Sequence, residues 1–129
     1  MPGLVRDRAE VDTYRESLGA PLKQIVRELV DILGKKLTAY IAGVKSVRTV
    51  DGWLDGKEAY KQAEPRLRLA FQIAKTLRAY DDRRVVQAWF VGLNPQLEDR
   101  VPAMLLREGD TAVEGRLVLA AGRAFVAGG

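Results

Sequence analysis

From Leu22 the sequence places apolar residues at helical spacing. Leu22, Ile25, Val26, Leu29, Ile32 and Leu33 fall at i, i+3, i+4, i+7, i+10 and i+11, with Lys23, Gln24, Arg27, Glu28 and Asp31 between them. That period gathers the apolar side chains on one side of a helix, as core packing rather than as a cofactor box. Gly34 ends the pattern. The same period returns at Leu67, Ala70, Phe71, Ala74 and Leu77, reaching Ala79-Tyr80, with Pro65 at its opening and Arg66, Arg68, Lys75 and Arg78 on the other faces. It returns again at Val85, Val86, Trp89 and Phe90, where Asp81-Asp82 fit the cap of a helix start better than a catalytic pair. An all-α fold follows.

Between the first two long patterns lie two shorter ones. Leu37 to Ala42 is followed by Gly43, which permits a tight turn, and then by Ser46-Val47-Arg48-Thr49-Val50-Asp51-Gly52-Trp53-Leu54. Ser46 suits a cap, Val50 and Trp53 anchor the second segment, and Asp55-Gly56 ends it. This is the outline of a DNA-binding helix-turn-helix. Lys45, Ser46, Arg48, Thr49 and Lys57 are the side chains placed to touch DNA, Arg48 at a guanine edge and Lys45 and Lys57 at phosphates. Asp51 and Asp55 make the outer face mixed in charge, so a packing or dimer scaffold is an equal reading.

The C-terminal third carries the densest turn chemistry. After Trp89-Phe90, Gly92 fits a left-handed helix stop, Asn94 a cap and Pro95 the first position of a new turn. Pro102 opens a further short helix and Gly109 stops it. In the last segment, Val113, Leu117, Ala120, Ala121 and Ala124 read as one narrow apolar stripe, and Arg116 and Arg123, seven apart, project on roughly one side. Phe125-Val126 precede Ala127-Gly128-Gly129; Phe125 either folds back on its own domain or buries in a partner.

Composition narrows the chemistry. The 129 residues hold neither cysteine nor histidine. Disulfides, thiolate nucleophiles, the usual general base near neutral pH and the commonest metal ligands are therefore missing. Glu98-Asp99 and Glu108 with Asp110 offer carboxylates, but in turn-like polar segments with no companion metal cluster or phosphate-cradling loop. The chain reads as a non-enzyme without cofactor or metal. No uncharged apolar run approaches the roughly 20 residues of a membrane helix, and the early charges of Arg6, Asp7 and Arg8 do not fit a secretory signal. A cytoplasmic protein away from membranes is expected. The net charge is +4, from 21 basic and 17 acidic residues, divided as +1 over residues 1–60 and +3 over residues 61–129. The basic excess is thus not concentrated in the half with the DNA-binding outline.

The ordered series Trp89-Phe90, Leu93-Asn94-Pro95-Gln96-Leu97, Pro102, Leu105-Leu106, Gly109 and a last apolar helix resembles the toxin-binding domain of the Xre/MbcA/ParS antitoxin family. The segment with Trp53 three residues after Val50 resembles the Xre-like helix-turn-helix that precedes that domain, so the resemblance spans roughly Leu37 to Val126. Where the family commonly has Gly-Gly before the Pro, this chain has Glu98-Asp99-Arg100-Val101. The resemblance implies an antitoxin whose partner is a RES-domain toxin, an enzyme that degrades NAD. Inhibition would come from the C-terminal region covering the toxin's active-site entrance. On this footing Trp89, Asn94 and Pro95 shape the toxin-binding lobe, and Arg116, Arg123, Phe125 and Val126 touch the toxin. The family also implies dimers or larger assemblies with the toxin and repression of its own operator DNA. A DNA-binding regulator without a toxin partner is the alternative. The expected division is residues 1–20 as an arm or solvated helix, 21–63 as the helix-turn-helix lobe, and 64–129 as a linking helix and toxin-binding domain.

Overall fold

The helix at the centre of the molecule is Ala63–Arg78, and its burial sets the position of everything else. The computed structural model describes residues 2–128, with side chains from residue 8 to residue 128. In chain order the helices are α1 (Pro2–Gly19), α2 (Leu22–Leu33), α3 (Lys35–Ala42), α4 (Val47–Leu54), α5 (Ala63–Arg78), α6 (Arg83–Val91), α7 (Pro102–Glu108) and α8 (Glu114–Val126). A 3-10 turn, Pro95–Leu97, lies between α6 and α7. No strand occurs among the described residues, and the chain is all-α.

α5 packs against α1, α2, α3, α6, α7 and α8. The apolar residues expected on one face, Leu67, Ala70, Phe71, Ala74 and Leu77, are fully buried. Its other faces are covered too: Gln72, Ile73 and Thr76 are buried, and the Thr76 hydroxyl donates to the Gln72 carbonyl at 2.8 Å. A helix surrounded this way needs short or self-satisfied polar side chains on its remaining faces. Each large apolar side chain buried here contributes about 1.5–3 kcal/mol relative to exposure. The helix begins two residues before Pro65, which sits inside the first turn where no intrahelical N–H is needed.

The α2 stripe is buried from Ile25 to Leu33, with Ile25 and Val26 at 0% exposure, and Leu22 at its start is half-buried. It rests on α5 and on the α3–α4 pair. Residues 2–19, expected as an arm or a solvated helix, form α1 along α5. Arg68 fastens its end: one guanidinium nitrogen donates to the carbonyls of Ser17 at 3.0 Å and Ala20 at 2.8 Å. The last carbonyls of a helix lack intrahelical donors and carry partial negative charge, so a cation there satisfies both needs. The buried apolar residues make one cluster running from Ile25 to Ala121. The expected boundary near residue 63 therefore falls at the start of a helix that packs against elements on both sides of it.

Candidate functional site

Two regions hold the residues singled out from sequence. The first is α3, α4 and their connection. Gly43 stops α3 with φ +86°, and a Cβ at this position would meet the Arg66 guanidinium. That guanidinium donates to the Ala42 carbonyl at 3.3 Å, closing the end of α3. Ser46 caps α4, its hydroxyl accepting from the Arg48 backbone N–H at 3.1 Å. Val50 and Trp53 are buried, so the opposite side of α4 faces outward. Lys45, Ser46 and Arg48 are exposed at the start of α4, and Thr49 is half-buried beside them. Lys57 is not with them. It lies past the far end of α4, with its aliphatic chain across Gly52. Asp51 is held by Lys35 at 2.7 Å, an exposed pair that offsets the acid's charge on this face.

The same face carries two cations that the sequence reading passed over. Lys36 on α3 and Arg107 on α7 line a cleft of about 430 Å³ together with Ala39, Tyr40, Val44, Lys45 and Val47. Arg107 lies over the Tyr40 ring, 4.7 Å from its centroid, and donates to the Tyr40 carbonyl at 2.7 Å.

The second region is the Asn94 turn. Asn94 is 7% exposed and joins four hydrogen bonds. Its N–H donates to the Arg100 carbonyl, its carbonyl accepts from Leu97 and Asp99, and its side-chain oxygen accepts from the Gln96 N–H at 2.9 Å. Pro95 takes the first position of the 3-10 turn, as expected, and is exposed. Glu98 and Asp99 then adopt φ +56° and +61°, left-handed conformations that strain non-glycine residues. The Arg100 side chain donates back to the Leu97 carbonyl at 2.9 Å. Gly92 departs from expectation. Its φ is −90° and ψ 163°, an extended residue and not a left-handed stop. The chain leaves α6 straight and presents Leu93 to solvent at 73% exposure before turning at Asn94.

Trp89 is buried, edge-on to Phe90 with ring centroids 5.2 Å apart, and its ring faces Gly122 of α8. Its indole N–H has no acceptor among the described residues. Trp89 and Asn94 thus build the lobe from inside, whereas Pro95 lies on its surface.

The expected stripe on α8 is displaced. The buried face consists of Gly115, Val118, Ala121 and Gly122. A Cβ at Gly115 would meet Leu69, and one at Gly122 would touch Ile73 and Trp89. The glycines bring α8 close to α5 and α6, so the contact line follows them instead of the larger side chains. Of the expected stripe only Ala121 is buried. Val113 and Leu117 are 58% and 48% exposed, Ala120 is exposed and Ala124 half-buried. Arg116 and Arg123 are both exposed. Arg123 makes one ion pair, to Glu10 of α1 at 3.8 Å. Such a solvated contact is worth about 1 kcal/mol or less. Phe125 lies at the edge of exposure, at 37%, and Val126 packs partly against the core.

No helix is long and apolar enough to cross a membrane, and no group of three or more acidic residues could hold a metal, among the described residues. No protein-family model, curated protein or solved structure matches the chain.

Proposed function

We propose that this chain is a protein-binding inhibitor, the antitoxin of a RES-domain toxin, acting through its C-terminal lobe. The observation that carries a protein partner is the outward row of α8. Leu117 and Ala120, with Val113 just before the helix, stand in water on the side of α8 opposite the glycines that pack against α5 and α6. Arg116 stands beside them and has no ion pair among the described residues. Apolar area left in water is stabilised by burial against a partner, and arginine is among the side chains enriched at protein interfaces.

The identity of the partner rests on the resemblance of Trp89 to Val126 to the family's toxin-binding domain. One backbone feature supports it. Glu98 and Asp99 begin the stretch that stands where the family commonly has Gly-Gly, and both take the left-handed conformation that glycine adopts without strain. On this reading Glu98 and Asp99 take the backbone positions that the family gives to glycine. On this reading the toxin's active-site entrance is covered by the outward face of α8, with Arg116, Arg123, Phe125 and Val126 at the contact. The weak Glu10 pair leaves Arg123 free to rearrange.

A second role, binding of operator DNA, is favoured by the start of α4. A capped N-terminus with exposed Lys45, Ser46 and Arg48 is the arrangement a base-reading helix needs.

Complex formation tests the main reading. Co-expressed with a RES-domain toxin, the chain should co-elute with the toxin in size-exclusion chromatography and remain bound through high salt. Separate elution at micromolar concentration would remove the toxin partner and leave the DNA-binding regulator.

A further inference from the structure

The cleft between α3 and α7 collects positive charge that the molecule does not neutralise. Four cations elsewhere are matched by acids. Lys75 meets Glu28 at 3.0 Å and Glu16 at 3.9 Å, Arg68 meets Glu64, Lys35 meets Asp51, and Arg123 meets Glu10. Lys36, Lys45 and Arg107 have no such acid among the described residues, and no carboxylate lines the cleft. Glu108 follows Arg107 in sequence but is not part of the lining.

Arg107 is also positioned in advance. Its hydrogen bond to the Tyr40 carbonyl and its seat over the Tyr40 ring fix the guanidinium at the mouth of the cleft. A fixed guanidinium loses little freedom when it meets an oxyanion. The cleft is continuous with the start of α4: Lys45 and Val47 are on its wall, and Ser46 and Arg48 follow them in sequence.

We propose that this cleft seats a backbone phosphate of duplex DNA, held by Lys36, Lys45 and Arg107, while the first turn of α4 faces the bases. The proposal rests on the DNA-binding reading and deepens it. Arg107 belongs to α7, which follows the Asn94 turn, so the lobe assigned to the toxin also contributes to the DNA contact. DNA affinity and toxin binding then share a structural element, α7, which packs on α3 at one side and α8 at the other.

The test is fluorescence anisotropy of the full chain on a mixed-sequence 20-base-pair duplex, titrated across a series of salt concentrations. Each phosphate contact contributes about 0.9 to the slope of log affinity against log salt. Lys36→Gln with Lys45→Gln should therefore reduce the slope by about 1.8, and Arg107→Gln by about 0.9, whereas Arg107→Lys should keep most of it. Lys23→Gln, an exposed lysine on α2 away from the cleft, should leave it unchanged. Because Arg107 also holds Tyr40, the two lysine variants carry the decision if Arg107→Gln unfolds. An unchanged slope in the lysine pair, with a weakened Arg48→Ala variant, would overturn the cleft and leave the DNA reading standing. An equal drop for Lys23→Gln would overturn it as well. No salt-dependent binding by the wild-type chain would remove both.

Discussion

The α3–α7 cleft and the outer row of α8 are left unsatisfied in opposite ways. At the cleft, Lys36, Lys45 and Arg107 surround a small apolar floor without an acid among them. At and along α8 and just before the 3-10 turn, Val113, Leu117 and Leu93 stand in water, with Arg116 as the nearest charge in sequence to Leu117. Excess charge attracts a phosphate backbone and responds to salt. Excess apolar area seeks a matching protein surface and is far less sensitive to salt. The difference shows how one small helical core can present two chemically distinct surfaces, each specified by what its own neighbours leave unmatched. α1 also exposes Val11, Tyr14 and Leu18, so apolar exposure alone does not set α8 apart; its place beside the Asn94 turn does.

The largest effect should come from reversing the apolar surface. Leu93→Asp combined with Leu117→Asp is expected to weaken toxin binding at least 100-fold by calorimetry, about 3 kcal/mol. Both side chains are exposed, so stability should move by about 0.5 kcal/mol or less. Salt-dependent DNA binding should persist, which would sharpen the separation of the two surfaces. Loss of both activities together would break it.

A smaller effect is expected inside the lobe. Gly122→Leu forces a side chain between α8 and the Ile73–Trp89 wall. Overpacking of this kind costs about 1–3 kcal/mol, measurable by urea denaturation. Toxin affinity should fall because the outer row of α8 is displaced, while the α3–α4 face stays in place. Unchanged stability would mean that α8 is not seated on its glycines.

The smallest effect concerns the turn. Glu98→Gly and Asp99→Gly should each raise stability by up to about 1 kcal/mol. Relief of left-handed strain, about 1–2 kcal/mol, is partly offset by the greater freedom of glycine in the unfolded chain. Destabilisation by both changes would contradict the strained turn and weaken its likeness to a Gly-Gly turn.

Much of this architecture is legible from local chemistry. The α2 stripe, the Ser46 and Asp82 caps, the Asn94 cap and the Pro102–Gly109 helix all depend on residues within a few positions of one another. Reading fails where contacts span the chain or where glycine decides them. Arg107 meets Tyr40 across 67 positions, and nothing near either residue announces it. The buried face of α8 departs from the periodic stripe because hydrophobic periodicity gives weight to Leu117 and Val113 and none to Gly115 and Gly122. Close approach of two helices depends on the absence of a side chain, and the seven-residue spacing of those glycines was the available signal. Gly92 permits a left-handed stop, yet the chain leaves α6 extended there and turns only at Asn94, whose hydrogen bonds hold the turn.

The proposed inhibition of a RES-domain toxin by α8 and the turn beside it can be tested at the level of the toxin's own reaction. The most direct measurement is the rate of NAD loss catalysed by the purified toxin, alone and with stoichiometric amounts of this protein or its Leu93→Asp, Leu117→Asp variant. The wild-type chain should stop NAD consumption, and the variant, folded to the same melting temperature, should leave the toxin active. NAD loss that continues at the same rate with saturating wild-type protein would contradict it.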